Sequence, residues 1–271
     1  MARHATQARH ATEAMKTLLL TGATGFVGRN VLLHELRQGT RIFALVRDPD
    51  KLRDQLLGEG LATDSVTPLP PDPSKWSGVD PTHAILSAGV LFARDRASYF
   101  KVNVDWTWEI LQALPETCRT VVLSSQSAGG PTPDGQLARS ETHADAPVTW
   151  YGESKLELEQ RIRRDFPSKK IAILRPPMIL GARDKATLPL FQMGTKLIRT
   201  KPGWRKKEYS FIAVEDLVTA ISAAFEFESR GPFYICSDQK ISDFDLIDTA
   251  AQVVGGRGIT LPVPLSFVRI A

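Results

Sequence analysis

Tyr151 and Lys155 stand four residues apart near the start of a strongly charged helical stretch, so their side chains share one helix face. A tyrosine hydroxyl ordinarily titrates near 10, too high to exchange protons readily at neutral pH. A lysine ammonium one turn away and the positive end of the helix would lower that value. The phenol then serves as a general acid when a carbonyl becomes an alcohol, and as a base in reverse. Ser125 leaves an apolar run, Thr120 to Ser124, within Ser124-Ser125-Gln126-Ser127, and is suited to hydrogen-bond the substrate oxygen beside Tyr151; Ser124 and Ser127 are its near competitors. A Tyr-x-x-x-Lys pair by itself is more often a solvated helix face than a catalyst. The reading therefore depends on the elements around it.

The element that gives it weight is TGATGFVG, Thr21 to Gly28. It follows an apolar run at Thr17 to Leu20 that reads as a buried strand, and it precedes Phe26 to Gln38, where apolar residues recur at helical spacing. Strand, glycine turn and helix form the context in which N–H groups at a helix start meet a dinucleotide pyrophosphate. Gly22 bends the chain, Gly25 admits the pyrophosphate closely and Gly28 lets the helix lie tight on the sheet. Thr21, Thr24, Phe26 and Val27 belong to the same turn and join the three glycines as expected cofactor contacts.

Arg41 to Val46 reads as a second strand, broken by Arg47-Asp48-Pro49. NAD sites usually place an acid at this point to hold the ribose 2′-hydroxyl. Here stand Val46 and Arg47, with Lys51 a turn further on, so a 2′-phosphate and hence NADP(H) is expected, with NAD as the alternative. A short third strand, Val66 to Leu69, runs into Pro70-Pro71-Asp72-Pro73, where Asp72 either meets the adenine edge or simply forms a turn. Ala84 to Gly89 is a fourth strand whose small exit residues, Ser87 and Ala88, let backbone pass close to a cofactor. A long helix over Arg96 to Leu114 carries Asn103; Thr120 to Ser124 and Lys170 to Leu174 are the fifth and sixth strands. Tyr209 to Ile212 and Pro232 to Cys236 are short strands around a helix at Val214 to Phe227, and Ser242 caps a last helix that stops at Gly255. The alternation predicts an α/β fold, a doubly wound parallel Rossmann sheet with a small C-terminal substrate lobe.

Composition excludes several classes. The chain has 271 residues, 42% apolar and 24% charged, as in an ordinary soluble globular protein. Its net charge of +4 is not gathered into one long basic tract, which argues against nucleic acid as a partner. Six cations between Lys196 and Lys207 (Lys196, Arg199, Lys201, Arg205, Lys206, Lys207) read as a solvated surface or as a contact for an anionic substrate. Cys118 and Cys236 have no metal-ligand spacing and read as packing residues in a reducing, cytoplasmic compartment; no metal is expected. No apolar run reaches membrane-spanning length, so no insertion is expected. Residues 1–14 hold a small tandem repeat, read as a disordered extension ahead of a candidate true start at Met15. Residues 15–271 are read as one domain, with a Rossmann core over about 15–180 plus 209–236 and a lobe over about 181–208 and 237–271.

The glycine turn, the Tyr151-x-x-x-Lys155 pair and the serine-bearing strand exit together resemble the short-chain dehydrogenase/reductase superfamily. The G-x-x-G-x-x-G form resembles its extended branch, the NAD-dependent epimerase/dehydratase family, closest in flavour to dihydroflavonol-reductase and 3β-hydroxysteroid-dehydrogenase-like members. Asn103-Val104, Arg175-Pro176-Pro177 with Gly181, and Phe211 to Leu217 add to a likeness running from Met15 to the C-terminus. The resemblance implies Ser125, Tyr151 and Lys155 as catalytic trio, Lys155 also holding the nicotinamide ribose, Pro176 beside the cofactor, and Asn103 as a structural or proton-relay residue. It implies an oxidoreductase moving hydride between a nicotinamide cofactor and a small-molecule carbonyl or secondary alcohol. A nucleotide-sugar epimerase or dehydratase is the rival within the family. A non-catalytic dinucleotide-sensing or assembly protein is the rival from another class, although such relatives typically lack the tyrosine or lysine. Nucleotide-sugar enzymes place an asparagine after the sixth strand; this chain has Pro177-Met178, and methionine cannot donate to phosphate, which points to a substrate with an apolar body. A homodimer is compatible with the family. Members continue well beyond Pro262-Val263-Pro264, so the chain is expected to stop short of a complete protein, with weakened stability or substrate binding.

Overall fold

Leu18, Leu19 and Leu20 are fully buried in the first strand, with no polar alternation, because helices cover both faces of the sheet they occupy. The structure, a computed structural model, describes residues 16–264; the tandem repeat, Met15 and the chain after Pro264 lie outside the described residues. In chain order the elements are β1 (Thr17–Thr21), α1 (Phe26–Arg37), β2 (Arg41–Leu45), α2 (Pro49–Gly58), β3 (Val66–Leu69), β4 (His83–Leu86), α3 (Arg96–Phe100), a π-helical segment (Lys101–Trp106), α4 (Thr107–Ala113), β5 (Arg119–Leu123), α5 (Gln126–Gly129) and α6 (Trp150–Asp165). There follow β6 (Ile171–Arg175), β7 (Met178–Leu180), α7 (Leu188–Gly194), β8 (Ile198–Pro202), β9 (Glu208–Ala213), α8 (Val214–Ala224), β10 (Phe233–Tyr234), β11 (Lys240–Ser242), α9 (Asp243–Val253) and β12 (Ile259–Val263).

The central sheet has seven strands in the order β10-β6-β5-β4-β1-β2-β3, every pairing parallel. The chain leaves β1 toward β2 and β3, then crosses to β4 on the other side. That reversal opens a crevice at the C-terminal ends of β1 and β4, where doubly wound sheets hold ligands. One apolar cluster packs α1, α2 and α8 on one face (Val31, Leu32, Leu56, Ile221), and a second packs α4 and α6 on the other (Ile110, Leu111, Leu158, Ile162). This is the parallel Rossmann architecture expected from the alternation.

Three features depart from the sequence reading. The Arg47-Asp48-Pro49 break also starts a helix: the Asp48 carboxylate accepts the Lys51 N–H and Pro49 occupies the first position of α2. The long helix after Arg96 is wound as a π segment over Lys101–Trp106. Pro232 to Cys236 contributes only Phe233 and Tyr234 to the sheet, so Cys236 lies exposed beyond the strand and is not a packing residue, whereas Cys118 is buried.

Two smaller sheets lie beside the central one: β11-β9-β7, in which β7 and β9 fall almost wholly within the range read as core, and a parallel pair, β12-β8, within the range read as the lobe. Strand β8 turns Arg199 and Lys201 inward and Ile198 outward. The cation cluster is therefore not simply a solvated face. Lys201, 0% exposed, pairs with Asp243 at 3.0 Å, donates to the carbonyls of Gly203 and Arg205 and sits 4.4 Å from the Phe244 ring centroid. Arg199 is also buried, against Asp248 at 3.5 Å, while Lys196, Arg205, Lys206 and Lys207 are exposed. Among the described residues no helix is long and apolar enough to cross a membrane.

Candidate active site

At the crevice, Gly22 adopts φ +75° and its carbonyl accepts the Gly25 N–H at 2.8 Å, turning the chain from β1 into α1. A Cβ on Gly28 would stand 2.1 Å from the Gly22 carbonyl oxygen and 2.9 Å from Ser87 Oγ, so only glycine lets α1 settle there. Ser87 Oγ donates to the Thr21 carbonyl (2.6 Å) and the Ala88 N–H to Thr21 Oγ1 (3.0 Å), which locks the exits of β1 and β4 together. The N-terminus of α1 has no capping side chain and no acid in its first turn. Thr24, Gly25, Phe26 and Val27 thus form an uncapped, uncharged helix start open to an anion, and the cradle fits the pyrophosphate of a dinucleotide.

Arg47 and Lys51 are exposed at the end of β2 and the first turn of α2; the neighbouring Asp48 carboxylate is engaged in capping α2. Asp72 accepts from Ser74 Oγ (2.7 Å) and the Ser74 N–H (3.0 Å), and these bonds hold its carboxyl below the ordinary carboxylate range. Its contacts are those of a turn. A loop at 181–187 is tied across α1: Asn30 Nδ2 donates to the Ala182 carbonyl, and Arg183, with φ 75°, pairs with Glu59 at 2.8 Å and donates to Asn30 Oδ1.

The other wall carries Ser125, Tyr151 and Lys155. Ser125 follows β5 and caps α5, accepting the Ser127 N–H at 3.2 Å. Thr149 caps α6, placing Tyr151 in its first turn and Lys155 one turn on. Lys155, 5% exposed, donates from Nζ to the Leu123 carbonyl (2.9 Å) and lies 5.9 Å from the Tyr151 ring centroid. Burial pushes the lysine down to about 8, with the Glu159 charge opposing. Burial also raises the Tyr151 phenol above its ordinary value, and the Ser125 side chain beside it works the other way. The expected depression of that phenol is thus corrected for the folded chain by itself: desolvation disfavours phenolate, and the Lys155 ammonium is bonded to a backbone carbonyl.

Asn103 sits in the π segment, fully buried. Its Oδ1 accepts the Val90 N–H (2.7 Å), and its Nδ2 donates to the Val90 carbonyl (3.2 Å) and Ser154 Oγ (3.0 Å). Of its two expected roles this geometry is the structural one: it fixes the loop after β4, where a Cβ on Gly89 would lie 3.2 Å from Lys155 Nζ. Pro176 is buried after β6 and accepts the Gln126 N–H at 3.0 Å, next to the Ser125 turn. The rim near Tyr151 is apolar. Tyr99 packs 6.3 Å from the Tyr151 ring and donates to the Leu91 carbonyl; Leu91, Phe92 and Trp150 are exposed.

Sequence reasoning missed a buried ionic group behind this wall. Glu159 accepts from Ser124 Oγ and pairs with Arg175, which also pairs with Asp145. The signal was present as Lys155-x-x-x-Glu159, which continues the Tyr151–Lys155 face by one more turn.

The model of the NAD dependent epimerase/dehydratase family matches residues 18–236. A ceramide reductase of Caulobacter vibrioides is 30% identical over 262 residues, spanning 94% of this chain and 76% of the relative. Among solved structures, a UDP-glucose 4-epimerase of Thermotoga maritima with UDP-glucose superposes with a TM-score of 0.77 at 16% identity, over 92% of this chain and 85% of the other. RMD of Pseudomonas aeruginosa, solved in complex with NADPH, superposes with a TM-score of 0.70 at 18% identity, over 91% and 87%.

Proposed function

The chain belongs to the NAD dependent epimerase/dehydratase family, the extended short-chain dehydrogenase/reductases, and from that premise we propose that this nicotinamide-dependent enzyme is an NADP(H)-linked reductase of carbonyl groups on substrates with an apolar body. The observation that carries the reading is the convergence of Ser125, Tyr151 and Lys155 on the wall facing the glycine cradle. Thr21 to Gly28, with Ser87, Ala88 and Pro176 alongside, would hold the nicotinamide cofactor, which would supply hydride. Ser125 and Tyr151 hydrogen-bond the substrate oxygen and orient it. Tyr151, whose burial further favours the neutral phenol, gives its proton to that oxygen as the alcohol forms. The Lys155 ammonium stabilises the phenolate left behind, an effect present below about pH 8 and lost above it.

Arg47 and Lys51 support NADP(H) over NAD, because the Asp48 carboxylate between them already caps α2 and Asp50 pairs with Arg53. A charge-assisted pair to the 2′-phosphate is worth about 1.5–3 kcal/mol, so Arg47→Ala should weaken NADPH binding by roughly ten- to a hundredfold. Equal wild-type affinity for NADH and NADPH by titration would sink that part. Met178, together with exposed Leu91, Phe92 and Trp150, supports the apolar substrate class, as does the reductase name of the Caulobacter relative. Cytoplasmic placement is part of the same reading, supported by two free cysteines.

The test is NADPH consumption against a panel of hydrophobic aldehydes and ketones, wild type beside Tyr151→Phe. Loss of about a hundredfold or more in the variant is expected. A variant that keeps most of its turnover removes Tyr151 from the mechanism. Micromolar binding of a UDP- or GDP-sugar, with cofactor retained through purification, would instead move the protein to the epimerases.

A further inference from the structure

The buried charge behind the reacting wall has no part in the steps above. Glu159 lies one turn beyond Lys155 on α6 and is 0% exposed; its carboxylate accepts from the Ser124 hydroxyl and from Arg175 Nε (2.9 Å) and Nη2 (2.6 Å). Arg175, 2% exposed at the end of β6, turns its remaining donors to Asp145 (2.6 and 2.9 Å) and to the Tyr234 hydroxyl (3.0 Å). Ion pairs this deep cost desolvation and add little net stability, so stability alone is a weak reason for one to sit here.

Its location supplies a better reason. Ser124 immediately precedes Ser125, while Tyr151, Lys155 and Glu159 follow one another turn by turn along α6. The carboxylate thus ties the strand exit that bears one reacting group to the helix that bears the other two. It is also the one carboxylate acting on Lys155. The ionisable groups around that ammonium are Tyr151 and Glu159 on its own helix and, through Glu159, Arg175 on β6 and the half-exposed Arg163 on α6, 4.0 Å from the Glu159 carboxylate. The facing β5 and the loop after β4 offer only neutral groups, the Leu123 carbonyl and Gly89, and the π segment offers Asn103. Without Glu159, Arg175 would keep Asp145, but Lys155 would lose the one carboxylate that acts on it.

We propose that Glu159 is a positioning residue of the active site: its carboxylate fixes the Ser125-bearing exit of β5 against α6 and balances the buried positive charge of Lys155. The inference rests on the reductase reading for the role of Lys155, but its central measurement does not need turnover. Burial has already brought the ammonium close to neutral pH, so its surviving charge depends on that carboxylate.

In protein labelled with 13C at the lysine ε carbon, with the Lys155 signal assigned by Lys155→Arg, Glu159→Gln should lower the Lys155 titration midpoint by about one unit. The alkaline limb of kcat/KM for carbonyl reduction should move down with it. Ser124→Ala, which removes the tether and keeps the charge, should leave the Lys155 midpoint in place and lower kcat by about tenfold through misplaced Ser125. If Glu159→Gln does not fold, Ser124→Ala and Glu159→Asp decide: wild-type kcat in Ser124→Ala overturns the positioning claim, and a Lys155 midpoint that falls in Glu159→Asp, where the carboxylate retreats by one methylene, supports the charge claim while an unmoved midpoint overturns it. A Lys155 midpoint unmoved in folded Glu159→Gln also overturns the inference. Absence of turnover in wild type across the carbonyl panel counts against the reductase reading alone and leaves the titration result standing.

Discussion

The Rossmann sheet and the β8–β12 pair of the lobe bury opposite kinds of side chain. In the sheet, Leu18 to Leu20 and Ile171 to Leu174 face both helical layers with no charge among them. In the lobe, β8 puts Arg199 and Lys201 inside, against Asp248 and Asp243, and leaves Ile198 at 61% exposure outside, next to Ile259 at 60% on β12. The first interior is held by non-directional burial, which tolerates small shifts. The second is held by a few directed pairs that fail when either partner is lost. The candidate site groups sit at the edge of the first, and the β8–β12 pair rests on the second.

The largest expected effect tests the lobe. Lys201→Met leaves the half-buried Asp243 without its ammonium partner and should cost about 3–4 kcal/mol by urea unfolding, while the double change Lys201→Met with Asp243→Leu should recover most of it. If the double variant is no better than the single, the lobe is not held by that pair. Burial alone would raise the Asp243 carboxyl, but the Lys201 ammonium and the Lys207 N–H hold it below the ordinary range. Its stabilisation is therefore present above the unfolded carboxyl value and lost as pH falls through the lower folded one.

Leu19→Ala makes the matching test in the sheet, with an expected cost of about 3 kcal/mol that changes little with salt or pH. A strong salt dependence would blur the contrast. Lys155 is one of the buried charges on the sheet side, beside Glu159 and Arg175 at the end of β6. Its folded value of about 8 lies below the 10.5 of a free lysine, so the folded state binds the proton less well. The full penalty applies below about pH 8, and wild-type stability should rise relative to Lys155→Met between about pH 8 and 10.5, by roughly 3 kcal/mol. A flat difference would mean that Lys155 is not desolvated. The smallest effect belongs to the outer face of the lobe pair: Ile198→Thr should stay within about 0.5 kcal/mol, and a larger loss would show that this face is covered in solution.

The same contrast governs what could be read from sequence. Apolar runs and a helical period gave β1, α1, β5 and α6 directly, because there burial and pattern agree. Strands β8 and β12 were invisible, since an inward Arg199 and Lys201 invert the usual alternation. Helix α2 was read as a break, although Asp48-Pro49 is also a cap followed by a proline suited to the first helical position. In the candidate site, local spacing brought Tyr151 to Lys155, and the glycine turn announced itself. Glu159 with Arg175, and Glu59 with Arg183, join residues distant in the chain: the helix spacing from Lys155 marks Glu159, but nothing local marks Arg175 or Arg183 as the partner.

The π winding over Lys101–Trp106 has a consequence for ancestry. A helix wound this way holds an extra residue within the same length, so it is in effect a one-residue insertion accommodated without a loop. Deleting Val102 would let α3 and α4 merge into a single regular helix. Residues on one side of the deletion would then rotate by about 100° relative to the other. Asn103 could not keep both bonds to Val90 and its bond to Ser154 through such a turn. Between this chain and a relative with an unbroken helix, the informative difference is therefore a gap in the alignment, and no single substitution at position 103 reproduces or undoes it.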